Sequence, residues 1–210
     1  MSVHLLDANA LFLHIPKTGG LFVEAALKAA EIRIDAWPAV REGMSLRHAP
    51  VWAHLRTYDF VFTFVRHPLA WFESWWRFQQ AHDWERWEPE RWHPQRCLER
   101  FARLPFPEYM EQVVTHEPGY LTRLYEWMIG PPDSGLVQFV GYQESLADDL
   151  CNILRSMGYH VEEERIRSCP PANMSLGVVS CPERIRERLL AAEAAVLQRY
   201  YPSAVLSLAP

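Results

Sequence analysis

Ala10-Leu11-Phe12-Leu13-His14-Ile15-Pro16-Lys17-Thr18-Gly19-Gly20 is the stretch that decides the fold class of this chain. Ala10 to Ile15 is a short apolar run rich in strand formers, and Pro16 stops it. Gly19-Gly20 is followed by the helix-favouring stretch Leu21 to Glu31. A strand, a glycine loop and a helix in that order are the building unit of an α/β protein.

The order recurs further along. Phe60-Val61-Phe62-Thr63-Phe64-Val65 predicts a buried strand that reaches Arg66, and Pro68 suits the first turn of a helix running to about His82. Gly135 to Tyr142, with Leu136, Val137, Phe139 and Val140, predicts a third strand. Leu146, Leu150, Ile153, Leu154 and Met157 then keep helical spacing within Glu144 to Met157. Another strand is expected near Ile32 to Ala36. Strands that alternate with helices, each apolar on both faces, imply a parallel sheet covered on both sides. The expectation is therefore a single α/β domain over residues 1–210, three-layer α/β/α around a central, mainly parallel sheet. Residues 96–128 predict two or three helices broken by Pro105, Pro107 and Pro118-Gly119. Pro182 to Tyr201 predicts a terminal helix with Ile185, Leu189, Ala192, Val196 and Leu197 on one side.

With 210 residues and a 49% hydrophobic share, the chain has the size of one α/β domain with one core. Its 21 Lys and Arg against 26 Asp and Glu leave a net charge of −5. That balance excludes the broad cationic face of a nucleic-acid or anionic-membrane binder, so no nucleic-acid partner is expected and any anion site must be local. Met1 to Ile15 has no positive leader region and is interrupted by His4, Asp7 and Asn9, unlike a signal peptide. No window approaches the roughly 20 apolar residues of a spanning helix, so no membrane insertion and a cytoplasmic location are expected. Cys97, Cys151, Cys169 and Cys181 lack CxxC or zinc spacing and read as reduced thiols, with Cys169 and Cys181 the pair to test for a disulfide.

Amides freed by Gly19-Gly20 and by the start of the next helix can converge on an anion, with the helix dipole adding positive potential and Lys17 a full charge. A nucleoside-triphosphate loop needs GxxxxGK followed by Ser or Thr, whereas here the lysine precedes the glycines. The second strand ends in Arg66, not in the aspartate that would hold Mg²⁺. The pattern predicts an anion site without metal, against the plain alternative of an ordinary glycine turn. Arg66 at a strand end and Ser74 about two turns into the next helix can face one crevice at the carboxyl edge of the sheet. The guanidinium offers a fork of donors for a phosphate and the serine a hydroxyl. The plain alternative is a surface ion pair for Arg66 and a solvated Ser74.

His14 to Gly20 is similar to the HIPKTGG segment of the carbohydrate and heparan-sulfate-type sulfotransferases and their bacterial relatives. These enzymes use 3′-phosphoadenosine 5′-phosphosulfate (PAPS) as donor. The resemblance implies a P-loop-kinase-like sulfotransferase fold and assigns Lys17, Thr18, Gly19 and Gly20 to the 5′-phosphosulfate. Many members continue with Thr and Ser where this chain has Leu21 and Phe22, which leaves more to the backbone amides and Thr18. Val65 to Trp76 looks like the family's 3′-phosphate element, of the form R-(N/D)-P followed by a helical Ser, and so implies that role for Arg66 and Ser74. His67 stands where Asn or Asp is usual. Val140 to Leu146 resembles the family's G-(R/Y)-x-E-x-L stretch. Asn173-Met174-Ser175 resembles its N-x-S segment near the nucleotide, which implies Asn173 and Ser175 as further contacts.

Sulfuryl transfer needs an acceptor oxygen in line with sulfur, a base for its proton and donors for the charge that develops on the leaving phosphate. Lys17 fits the last role. His48, in Leu46-Arg47-His48-Ala49-Pro50, lies where several relatives carry a catalytic histidine followed by a small residue, and it is the expected base. His54 is the next candidate for the base and a candidate acceptor-binding residue, and Glu24 or Glu73 would replace a histidine if this chain followed the branches that use glutamate. His14, on a buried strand, reads as a hydrogen-bonding residue behind the site. Trp71, Trp75 and Phe78 share a helix face and read as core. Trp84, Trp87 and Trp92, in the Trp-rich segment at about 83–95, read either as an acceptor wall or lid or as a structural hairpin. The acceptor is expected to be a small molecule or carbohydrate with a hydroxyl. The competing readings are a nucleotide or small-molecule kinase of related fold and a non-catalytic nucleotide-binding domain.

Overall fold

The computed structural model of the chain describes residues 1–36, 38–42, 44, 48–81, 96–131, 133–170 and 179–202. In chain order the strands are β1 (Val3–Leu5), β2 (Ala10–Leu13), β3 (Ile34–Asp35), β4 (Phe60–Val65) and β5 (Phe139–Tyr142). The α-helices are α1 (Gly20–Ala29), α2 (Pro68–Ala81), α3 (Phe106–His116), α4 (Tyr120–Ile129), α5 (Leu146–Ser156), α6 (Glu163–Arg167), α7 (Glu183–Ala192) and α8 (Ala194–Tyr200). The chain divides into two compact units, Met1–Arg66 with Glu126–Met174, and His67–Tyr125 with Ser175–Pro210.

The first unit is α/β, built on a five-stranded sheet of order β3-β1-β2-β4-β5. β2 and β4 run parallel with Leu13 opposite Thr63, and β4 and β5 run parallel with Val65 opposite Tyr142. β1 pairs antiparallel with both β2 and β3. The sheet is thus mixed, which corrects the mainly parallel expectation. The cause is local: Leu5 and Ala10 are opposite one another, and a connection that short can join only antiparallel strands. Asn9 completes the turn at φ 44°, a left-handed value that asparagine tolerates better than most residues.

Alternation along the strands divides the core. Ala10, Phe12, Phe62 and Phe64 face one side, where Phe22, Val23, Ala26 and Leu27 of α1, Leu150, Ile153 and Leu154 of α5 and Ile166 of α6 pack on them. Leu11, Leu13 and Val61 face the other side, against Val51, Tyr58 and Val137. Both faces are covered, which is why β4 is apolar on both sides. Its one polar member, Thr63, is buried and donates to the Leu13 carbonyl at 2.6 Å.

The second unit is helical. Trp71 and Trp75 are buried on α2 and stack at 6.3 Å between centroids, with Phe78 stacked on Trp75 at 5.4 Å, so the expected core face is present. Trp76 donates its indole N–H to the Leu104 carbonyl at 2.9 Å. The expected terminal helix is two helices, because the chain breaks at Glu193, whose backbone leaves helical geometry at φ −101° and ψ 22°. Among the described residues no helix is long and apolar enough to cross a membrane.

Candidate active site

The candidate site lies at the carboxyl ends of β2 and β4 in the first unit. Beyond β2, the loop from Ile15 to Gly19 turns back on itself, and Thr18 donates its hydroxyl to the Ile15 carbonyl at 2.8 Å. Lys17 is held at φ 67° and Gly19 at φ 93°. Glycine tolerates that geometry freely, while lysine in it carries strain on the order of 1 kcal/mol, the kind that clusters at ligand-binding loops. A left-handed residue followed by a helical one turns successive amides toward one point, which is an anion nest. The first helical bond of α1 is Val23 N–H to Gly19 C=O at 3.2 Å, so the amides just before Val23 have no acceptor within the helix.

Two cations meet here. Arg66 follows the last residue of β4 and donates from Nη1 to the Lys17 carbonyl at 3.3 Å, tying the two strand ends together. Burial of the Lys17 ammonium, followed by the charge of Arg66, lowers its pKa to about 8. Placing two cations this close is unfavourable unless an anion is shared between them.

Two residues of the loop admit no side chain of their own. A Cβ on Gly19 would strike the Leu146 side chain, and one on Gly20 would fall on the His14 imidazole. His14 is buried, stacks on Phe12 at 6.0 Å and lies 4.9 Å from the ring of His48, centroid to centroid. Its backbone N–H donates to the Ser2 hydroxyl at 3.1 Å. Phe22 turns into the core and Leu21 outward, so the position of Phe22 would present no hydroxyl to the loop in any case.

The structure therefore brings together Lys17, Thr18, Gly19, Gly20 and Arg66, with His48 beside His14. Ser74 belongs to the second unit, on the buried side of α2. His67 accepts the first hydrogen bond of α2 from Trp71 N–H at 2.9 Å, and its ring meets Tyr201 edge-on at 5.4 Å. Asn173 and Ser175, as well as Trp84, Trp87 and Trp92, lie outside the described residues. Glu24 and Glu73 are engaged in ion pairs one helical turn along, with Lys28 at 2.6 Å and Arg77 at 2.9 Å.

His54 sits apart from this cluster. It bridges Val40 and packs edge-on to Tyr58 at 6.2 Å, beyond which Tyr58 meets His4 at 5.1 Å. Burial holds its imidazole down to about 4, the nearby Ala49 backbone opposing this, and neither ring nitrogen makes a hydrogen bond of ordinary geometry. Trp52, in the short 3-10 turn after His48, is a residue that sequence reasoning does not single out. It is 42% exposed, edge-on to Trp127 at 6.1 Å, with the Arg41 guanidinium 5.9 Å from its ring. Its sequence signal, an aromatic residue in a polar loop close to the candidate base, is weak. Among the described residues no group of three or more His, Cys, Asp or Glu is placed to hold a metal.

Comparison of the chain with family models, with curated proteins and with solved structures returns no match.

Proposed function

We propose that the chain is a sulfotransferase that moves a sulfuryl group from PAPS to an acceptor hydroxyl. The observation that carries this reading is the loop after β2, where Lys17 and Arg66 converge with the amides of the α1 N-terminus. The reading draws as well on the likeness of His14 to Gly20 to the HIPKTGG segment of that family.

In this reading the loop amides, Lys17 and Thr18 take the 5′-phosphosulfate end, while Arg66 takes the 3′-phosphate. His48 removes the acceptor proton as the new O–S bond forms. Lys17 faces the leaving phosphate oxygen as the old S–O bond breaks. With a pKa of about 8, Lys17 is mostly charged at neutral pH yet a stronger acid than an ordinary lysine. It is thus suited both to neutralise that oxygen and to hand it a proton. Trp52, a few residues after His48 in the chain, and Trp127 against it offer an apolar wall for the acceptor.

Titration calorimetry with adenosine 3′,5′-bisphosphate in the absence of metal tests the reading. Micromolar or tighter binding, lost in Lys17→Met and Arg66→Ala, is the expected result. Preference for ATP together with a requirement for Mg²⁺ would replace it with the kinase reading. Binding with no transfer of labelled sulfate in a screen of sugars, phenols, lipids and peptides would leave a non-catalytic nucleotide-binding domain.

A further inference from the structure

His14 is more than a strand residue that packs behind the loop. Its imidazole occupies the space where a Cβ of Gly20 would stand, is stacked on Phe12, and lies 4.9 Å from the ring of His48. A side chain confined by a backbone on one side and an aromatic face on the other has few rotamers to choose from. His48, in contrast, is carried by a loop, and a loop residue that must meet a substrate oxygen needs something rigid to locate it.

We propose that His14 is the positioning residue of the base: its pinned imidazole locates the His48 ring, and the two rings titrate as a coupled pair. This rests on the proposed role of His48 and extends it to a pair. Two imidazolium charges at such a separation repel, so the pair takes up a first proton far more readily than a second, and the two titrate as a unit. Lys17 on the same loop, Arg66 at the end of β4 and the positive end of α1 stand at this edge of the sheet. All three disfavour imidazolium in the empty site, and an anion bound between them offsets that effect. The cations thus favour proton loss from the pair before the donor arrives, and a bound anion alongside favours the proton taken from the acceptor. No other reagent is required: the proton leaves the acceptor oxygen, resides on the pair, and exits to solvent after the product departs.

The test is an NMR titration of the imidazole C–H signals between pH 5 and 9 in the wild-type protein, in His14→Phe and in Gly20→Ala, with and without adenosine 3′,5′-bisphosphate. Phenylalanine keeps the ring contact with Phe12 and removes only the second titrating group. Gly20→Ala keeps both histidines and displaces the His14 ring. The expected result is that the His48 midpoint moves by about one pH unit in His14→Phe, and that the bisphosphate raises it in the wild type. A His48 titration that is the same with and without His14 overturns the proposal, because a residue that merely packs would leave it unchanged. In steady-state assays, His14→Phe should lower kcat at least tenfold with the donor KM nearly constant. The two readings fail separately: absence of bisphosphate binding speaks against the sulfotransferase reading, whereas the coupling of the two histidines is read in the free protein.

Discussion

At the scale of single residues, the site depends on side chains whose ordinary behaviour is altered by where they stand. Lys17 is the clearest case, since burial and Arg66 both weaken its hold on a proton. Its charge favours anion binding while present and is lost as the pH rises through about 8. Bisphosphate affinity measured by calorimetry should accordingly fall by about tenfold above pH 8, as the ammonium loses its proton. Lys17→Met should be weak throughout and show no such fall. Gly19→Ala should be worse than its size suggests. A Cβ there must accept φ 93° and also displace Leu146, so loss of bisphosphate binding with a lower Tm is expected.

At the scale of elements, the strand-loop-helix units were legible because they are written in local terms: apolar runs of strand length, glycine or proline breaks, and helical spacing after them. β4 and the start of α2 fall where the sequence puts them. β1 was not legible, since Val3-His4-Leu5 is short and signals only through the turn before Ala10. The division of the terminal helix at Glu193 was equally hidden, and its cause is tertiary. That buried carboxylate accepts from the Leu121 and Thr122 amides at 2.9 and 2.8 Å and from the Thr122 hydroxyl at 2.7 Å. It thus caps the first turn of α4 from a distant part of the chain. Glu193→Ala strands those donors and should cost about 2 kcal/mol in urea denaturation, while Glu193→Gln, which keeps an acceptor oxygen, should cost less.

At the scale of the molecule, stability responds to pH through a histidine that lies apart from the candidate site. The unfolded chain binds a proton at His54 near pH 6.5, whereas the folded protein resists it down to about 4. The unfolded state therefore holds more protons in that window, and stability, complete above pH 6.5, declines as pH falls toward 4, by about 3 kcal/mol in total. His54→Gln or His54→Leu should flatten this acid limb in thermal melts between about pH 4 and 7. Proximity was the part of the site that the sequence withheld. Lys17 and Arg66 could be named as cations at strand ends, but that the guanidinium grips the lysine's carbonyl, and that His14 touches His48, depend on register and loop path.

The contact between His14 and Gly20 also limits how this loop can change over evolutionary time. Because the imidazole fills the volume that any larger residue at position 20 would claim, position 20 cannot grow while residue 14 keeps its ring in place. A chain that acquires alanine or serine at 20 must first shrink or redirect residue 14. Mutational paths through this loop are thus ordered, and a double substitution at 14 and 20 should be tolerated where the single change at 20 is not.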